Sequence, residues 1–328
     1  MARSAFSIYQ LWVAPTRKPD DPVNMSNIDG NGTDFLSLFN AFLTDIKARP
    51  LVKPKYSLYL DVQYLASAGR MIEMEIEHGR YGLEGKVVDV KSGSTTKNIG
   101  IDESTVTNTR SLIVTSENAP HALFMGEKYG SQTSATKLLS AFKRSFSDRF
   151  HADHLVFHYN SLMDETAWQK YLETAQMQSI EVHKTQTSSD IADGIVRNSI
   201  GRIVCTVKPR RGEGSFARTL RDRILNGDLK AQTIIGVASH DDDEVEIVLD
   251  NGTQQRRLII GSADVPVLFY PLSDDGQPRP LNGDVFKEMR SKVLEIAPII
   301  GMSLPSDWDS RPWTRQQRSV KLAANRGN

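Results

Sequence analysis

Between Met71 and Glu77, Ile72, Met74 and Ile76 alternate strictly with Glu73, Glu75 and Glu77. A side-chain period of two marks a β-strand with one apolar and one polar face, because neighbours on a helical face stand three and four residues apart. The pattern predicts a strand over a core, with its acidic face in water. Tyr56 to Leu65, Val87 to Val90, Leu112 to Thr115 and Ala122 to Met125 read as further strands separated by Gly, Ser and Asn clusters. An opening strand carrying Phe6, Ile8 and Trp12 closes at Pro15. The N-terminal half is therefore β-rich.

Two amphipathic helices interrupt it. Phe35, Leu38, Phe39, Phe42, Leu43 and Ile46 recur at the spacing of one helical face, with Thr33 or Asp34 placed to cap the first turn. Pro19 to Gly32, dense in turn formers, is a loop before that helix, and Pro50 and Pro54 stop it. A second helix opens at Ser134 and aligns Leu138, Leu139, Phe142 and Phe146.

The rhythm then changes. Strands at Leu155 to Tyr159, Ser179 to His183, Arg202 to Lys208 and Thr233 to Ala238 alternate with helical stretches at Asp164 to Ala175 and Ser215 to Leu225, and with a turn near Ile191. Val245 to Leu249, Arg257 to Ile260 and Val265 to Tyr270 follow as a meander, the first two joined through Asp250-Asn251-Gly252-Thr253. Asn-Gly tolerates the positive φ angles of a tight turn, which makes this a hairpin signal. A helix from Gly283 to Ala297 carries Val285, Phe286, Met289, Val293 and Ile296 on its apolar side. The expected architecture is α+β. A β-rich N-terminal domain (1–150) with two amphipathic helices packs against a mixed α/β C-terminal domain (151–304), followed by a flexible basic tail (305–328).

The 328 residues suit two domains of ~150 each. Hydrophobic residues at 39% and charged ones at 24% exclude wholesale disorder. Forty basic and forty acidic residues cancel, so affinity for a polyanion has to come from a local patch. The single Cys205, inside the apolar run Ile203 to Val207, excludes an intrachain disulfide and a Cys-based zinc site; it reads as a buried, inert thiol. No run approaches the ~20 apolar residues of a membrane span, and Ile8 to Ala14, broken by Gln10, lacks a signal-peptide core. A soluble, cytoplasmic protein is expected, with no membrane partner.

The sharpest local feature is Lys208-Pro209-Arg210-Arg211-Gly212-Glu213-Gly214-Ser215, between an apolar strand and a helix. A strand that feeds a glycine-containing loop and then a helix N-terminus aims free backbone N–H groups at one point, which favours an anion. Lys208, Arg210, Arg211, Arg218, Arg221 and Arg223 surround it, and Glu213 with Asp222 leaves a local excess of four positive charges. The planar fork of Arg suits phosphate. The competing reading is a solvated basic face that pairs with the acidic run Asp241 to Glu244. The loop lacks the Lys-Ser or Lys-Thr of a P-loop. A second basic element lies in the tail, where Arg311, Arg315, Arg318, Lys321 and Arg326 occur without an acidic residue after Ser310, flanked by Trp308 and Trp313. Such an arm can track a phosphate backbone while a Trp stacks on a base, or Trp308 can simply anchor the tail.

Val87-Val88-Asp89-Val90-Lys91-Ser92-Gly93 resembles the third element of PD-(D/E)xK nucleases. The resemblance covers seven residues. It implies that Asp89 ligates Mg²⁺ and that Lys91 polarises the water, with an upstream acid such as Glu84, Glu75 or Glu77 as a further ligand. Four weaker constellations remain. Gly79, Gly82 and Gly85 allow a close backbone approach or a wide turn. His151, His154 and His158 cluster near Asp153 but fall where a strand would splay them apart. Asp241 to Glu244 is a solvated turn or a cation site. Phe124 to Gly130 places Glu127, Lys128 and Tyr129 just before a helix.

The leading expectation is a non-catalytic accessory protein without a cofactor. It binds nucleic acid, DNA or RNA, or another phosphorylated polyanion through Lys208, Arg210, Arg211, Gly212, Gly214, Ser215, Arg218 and Arg221, and through Arg311, Arg315, Arg318 and Lys321. The alternatives are a Mg²⁺-dependent nuclease using Asp89, Lys91 and Glu84, and a protein–protein scaffold of a bacterial mobile-element or phage-defence system. Zero net charge also allows a protein partner or a homo-oligomer.

Overall fold

A computed structural model describes residues 4–130, 132–162, 172–187, 199–225, 244–252, 255–260, 269–273 and 277–327. In chain order, the first stretch comprises β1 (Ser4–Pro15), α1 (Phe35–Ala48), β2 (Leu51–Lys53), β3 (Leu58–Ala68), β4 (Met71–Arg80), β5 (Gly85–Val88), β6 (Thr95–Ile99), β7 (Thr105–Thr115), β8 (His121–Tyr129), β9 (Gln132–Thr133), α2 (Ala135–Phe150) and β10 (Leu155–Ser161). There follow β11 (Gln176–Thr187), β12 (Ser199–Val207), α3 (Arg218–Leu225), β13 (Glu244–Asp250) and β14 (Gln255–Ile260), then β15 (Tyr270–Pro271), α4 (Asn282–Ile296) and α5 (Arg315–Ser319). The expected α+β class is observed. The chain divides into two compact units, Met1–Leu162 with Phe269–Asn328, and Met163–Leu268, so the first is built from both ends of the sequence. The expected elements at Asp164 to Tyr171, near Ile191, at Thr233 to Ala238 and at Val265 to Leu268 lie outside the described residues.

The larger unit is organised by an antiparallel sheet in the order β10-β1-β8-β7-β4-β3-β2, with β9 added to β8 and β15 to β1. Its central strands are apolar on both faces. Tyr9, Leu11 and Val13 of β1, Ile113 of β7 and Ile72, Met74 and Ile76 of β4 join one core; Phe6, Ile8, Leu112, Val114 and Met125 join the other. Such strands are stable only when both faces are covered. On the first face α1 and α2 meet through phenylalanines, with the Phe39 and Phe142 rings 4.7 Å apart. Gly126 on β8 lets the start of α2 sit close on the sheet, because a Cβ there would come within 2.6 Å of the Ala135 Cβ. Of the two possible caps, Asp34 serves α1, accepting from the Ser37 N–H at 2.9 Å, while Thr33 bonds to Asp29. The loop before α1 is ordered by its own apolar residues, with Met25 and Ile28 buried in the same core.

The opposite face differs from expectation. The acidic side of β4 is only partly in water: α4 places Arg290 Nη1 2.8 Å from the buried Glu73 carboxylate and Asn282 Nδ2 3.1 Å from Glu75, while Glu75 and Glu77 remain half-buried. Burial pushes the Glu73 carboxyl up, against the pull of Arg290. The alternation correctly marked the strand, but the covering helix arrives some 210 residues later in the chain, beyond any local pattern.

Glu127, 0% exposed, is the polar centre of this unit. It accepts from Arg110 Nε at 2.7 Å and from Arg110 Nη2, from Arg279 Nη2 at 2.8 Å and from Ser4 Oγ at 2.6 Å. Arg110 also donates to the Pro280 carbonyl at 2.7 Å. Burial alone would raise the Glu127 carboxyl, but Arg110 and Arg279 outweigh it and hold the group below its ordinary value of 4.5.

The segment expected as a flexible tail is instead packed. Trp308 is buried in the core beneath α4, and Trp313, Leu322 and Ala324 in the core of α1 and α2. The β3–β4 turn is built to receive it. Gly69 adopts φ +50, donates to the Arg311 carbonyl at 2.6 Å and accepts from Trp313 Nε1 at 3.1 Å. A Cβ at Gly69 would lie 2.1 Å from the Trp308 carbonyl oxygen, so only glycine fits. Four apolar residues scattered through a polar stretch are thus seated in the two cores.

The smaller unit is an antiparallel sheet in the order β12-β11-β13-β14. Met177, Ile180, Ile247, Leu249 and, from α3, Ile224 are buried. Gly252 has φ +82 at the expected hairpin turn.

Two outcomes follow for the larger unit. Trp313→Ala removes a core ring and is expected to destabilise it by about 3–5 kcal/mol in urea unfolding; a mobile tail would leave the midpoint unchanged. Because the folded pKa of Glu127 lies below the unfolded one, its stabilisation is complete above the ordinary value and is lost as pH falls through the folded pKa. Glu127→Gln should cost about 3–5 kcal/mol at pH 7, through the unpaired buried arginines. It should also flatten the acid limb of the stability profile, measured by denaturation from pH 7 down to pH 3.

Candidate nucleic-acid interface

β12 ends at Val207, and the chain crosses a ten-residue loop before α3 opens at Arg218, three residues later than the sequence spacing indicates. Two interactions shape this loop. Glu213 N–H closes a turn on the Arg210 carbonyl at 2.9 Å, with Gly212 at φ +97, and Phe216 N–H bonds to the Met177 carbonyl of β11 at 2.9 Å. The N–H groups of Arg211, Gly212, Gly214 and Ser215 have no hydrogen-bond partner among the described residues.

Lys208, Arg210, Arg211, Arg218 and Arg223 are exposed, and none makes an ion pair among the described residues. Gly212 and Gly214 are exposed and Ser215 is half-buried in the same loop. Arg218 opens α3, and no acidic residue stands in its first turn. A cation there opposes the helix dipole, so the arrangement does nothing for the fold.

Arg221 does not belong to this surface. It is 3% exposed, and its guanidinium is fully engaged, donating to the carbonyls of Leu172 (2.7 Å) and Ala175 and to Asp222 Oδ1 at 2.6 Å. The helical periodicity of α3 turns Arg221 inward with Ile224, where an unpaired guanidinium would be too costly to bury. Since Arg221 and Asp222 leave together, the excess of four positive charges on the exposed loop and helix is unchanged. Asp241 to Asp243, the run that could have neutralised it, lie outside the described residues.

The tail cations separate into two groups. Arg311 pairs with Glu117 at 2.6 Å, and Arg326 pairs with Asp45, so both fasten the tail. Arg315 and Arg318 on α5, with Lys321 just beyond it, are exposed and have no ion pair among the described residues. They belong to the larger unit, whereas the loop cations belong to the smaller one.

The nuclease-like stretch lies on a separate two-stranded ribbon, β5 with β6. Val87, Val88 and Val90 are exposed rather than lying along a buried strand. The Asp89 carboxylate caps the connecting turn, accepting from Ser92 N–H at 2.7 Å, Lys91 N–H at 2.9 Å and Ser92 Oγ at 3.0 Å. These bonds, led by that from Ser92, hold it below the usual carboxylate range. Lys91 and Glu84 are exposed, and Glu75 and Glu77 stand on β4. Among the described residues no three His, Cys, Asp or Glu side chains gather as a metal-binding group.

The weaker constellations resolve as structure. His158 stacks on Trp12 at 5.2 Å, and His154, at φ +55, offers its carbonyl to Thr16, so the histidines diverge as a strand requires. Gly82 turns at φ +94, and Gly79 lets Ser104 approach within 2.2 Å of its missing Cβ. Glu127 is the buried hub described above. Cys205 is half-buried on β12. No described helix is long and apolar enough to cross a membrane. No known protein family, curated protein or solved structure matches this chain.

The division of labour among the arginines is measurable. Arg221→Ala strips two carbonyls of their donor and should destabilise the smaller unit by about 2–4 kcal/mol, whereas Arg210→Ala should stay within about 0.5 kcal/mol. Urea unfolding followed by hydrogen exchange of residues 172–180 reads the difference.

Proposed function

We propose that this chain is a non-catalytic accessory protein that holds the phosphate backbone of a nucleic acid against the loop from Lys208 to Ser215 and the first turn of α3. One observation carries the reading: five exposed cations, Lys208, Arg210, Arg211, Arg218 and Arg223, occur within sixteen residues with no ion pair among the described residues. Like charges so placed repel one another, and Arg218 at the first turn opposes the dipole of α3. A polyanion removes both penalties and releases its condensed counterions. The unpartnered amides beside Gly212 and Gly214 add neutral donors to phosphate oxygens. Arg315, Arg318 and Lys321 supply a second set of backbone contacts from the larger unit. Phosphate contacts position a nucleic acid and do not read its bases, so sequence preference is weak. The carboxylate of Asp89 already serves a turn, which disfavours the nuclease alternative.

The test is fluorescence anisotropy with a labelled 30-nucleotide single strand and the matching duplex, over 50–200 mM salt. Reversing Lys208, Arg210, Arg211 and Arg218 to Glu should weaken binding by more than about 100-fold and reduce the log–log salt slope by about 3. Unchanged affinity and slope in that variant, or purification with a protein partner and no nucleic acid, would refute the reading.

A further inference from the structure

The larger unit contains a second cationic site, where β4 and β9 end and β7 begins, beside the start of α2. It is a cavity of about 410 Å³, within the range of small-molecule sites. Arg80, Lys137, Thr105, Thr107, Thr133 and Thr136 line it, and no carboxylate does. Neither Arg80 nor Lys137 makes an ion pair among the described residues. Burial and the neighbouring Arg80 guanidinium push the Lys137 ammonium below its ordinary value, so the two cations are held together at a cost.

Of the threonine hydroxyls around them, that of Thr133 donates to the Glu127 carbonyl at 2.9 Å, and the other three are uncommitted. The hydroxyls of Thr105, Thr107 and Thr136 have no hydrogen-bond partner among the described residues. The cap of α2 is also vacant: Ser134 makes no capping bond, its hydroxyl lying instead 2.6 Å from that of Thr109. The first-turn amides of Thr136 and Lys137 therefore lack the oxygen a capped helix would give them. A further orphan lies behind the lining. His78 is 1% exposed, and neither ring nitrogen makes a well-formed hydrogen bond among the described residues, although the Thr107 and Ile76 backbone lies close enough to favour its protonated form. It stands directly opposite Thr107 across the β4–β7 pair, as Arg80 stands opposite Thr105, so all four side chains share one face of the sheet. Burial, with Lys137 nearby, lowers its pKa to about 4, which leaves a neutral imidazole with one N–H to donate at pH 7.

We infer that this cavity binds the phosphate group of a small phosphate monoester. A monoester carries a charge of about −1.5 to −2 at neutral pH and three acceptor oxygens. That matches two cations, three free hydroxyls and two helix amides better than a carboxylate, which has one charge and two oxygens. The site is independent of the loop from Lys208 to Ser215.

The experiment is calorimetric titration of the full chain carrying the four loop-to-Glu reversals, so that no phosphate is taken up there. Inorganic phosphate, adenosine 5′-monophosphate and acetate are compared at constant ionic strength. One saturable site for the monoester is expected, weakened at least about 10-fold by Lys137→Gln and by Arg80→Gln and unaffected by Lys18→Gln, an exposed cation outside both proposed sites. Tighter binding of the monoester than of inorganic phosphate supports an ester ligand. Binding of inorganic phosphate alone, acetate binding as tightly as the monoester, no saturable binding, or equal affinity in Lys137→Gln overturns the inference. Thr107→Val, which removes a hydroxyl without touching a charge, should weaken the site several-fold and keeps the test valid if either cation variant unfolds.

Discussion

The larger unit depends on the burial of one carboxylate. Glu127 on β8 cannot be left charged and unpaired inside a sheet, and its partners come from β7 (Arg110), β1 (Ser4) and the segment before α4 (Arg279). Satisfying this group draws in partners up to 152 positions from Glu127 in the chain. Once Arg279 and Pro280 are docked there, α4 covers the second face of the sheet, and the strap of Trp308 and Trp313 can reach both cores. The segment containing the smaller unit is thus bounded at each end by elements of a single sheet, β10 and β15.

What the sequence disclosed follows from how far each signal reaches. Period-two alternation located β4, and the helical spacing of phenylalanines located α1 and α2, because neighbours within a few residues determine those elements. The Asn-Gly turn was legible for the same reason. The acidic face of β4, by contrast, is wet or dry according to whether α4 lies over it, and nothing between Met71 and Glu77 records that. Glu127 looked like part of a ligand site because a charged residue in a glycine-flanked stretch carries no mark of its distant partners. The tail read as mobile because two Trp, one Leu and one Ala have no periodicity, although each fills a prepared place.

The same distinction applies to the basic loop. Charge density and the surrounding glycines were visible in the sequence, but the split between Arg221, turned inward onto two carbonyls, and its exposed neighbours needed the packing of α3. The pocket of Arg80 and Lys137 left almost no trace. Its residues come from four elements, and of them only Gly79 belongs to a pattern visible in the sequence. A signal did exist: Ser134 opens a helix with no acidic residue in its first turn and Lys137 at the third position. In a chain of zero net charge, both the loop and the pocket are cation groups without an internal counter-ion among the described residues. Charge neutrality of the whole hides two local excesses, and local excess governs binding to phosphates.

What matters most for function is where a nucleic acid touches the chain. Amide hydrogen exchange of the whole protein, with and without a saturating 30-nucleotide single strand, measures this peptide by peptide. Slowed exchange is predicted in residues 208–219, strongest at the unpartnered amides of Arg211, Gly212, Gly214 and Ser215. Slowed exchange confined to other segments, or none anywhere under conditions where binding is saturated, contradicts it.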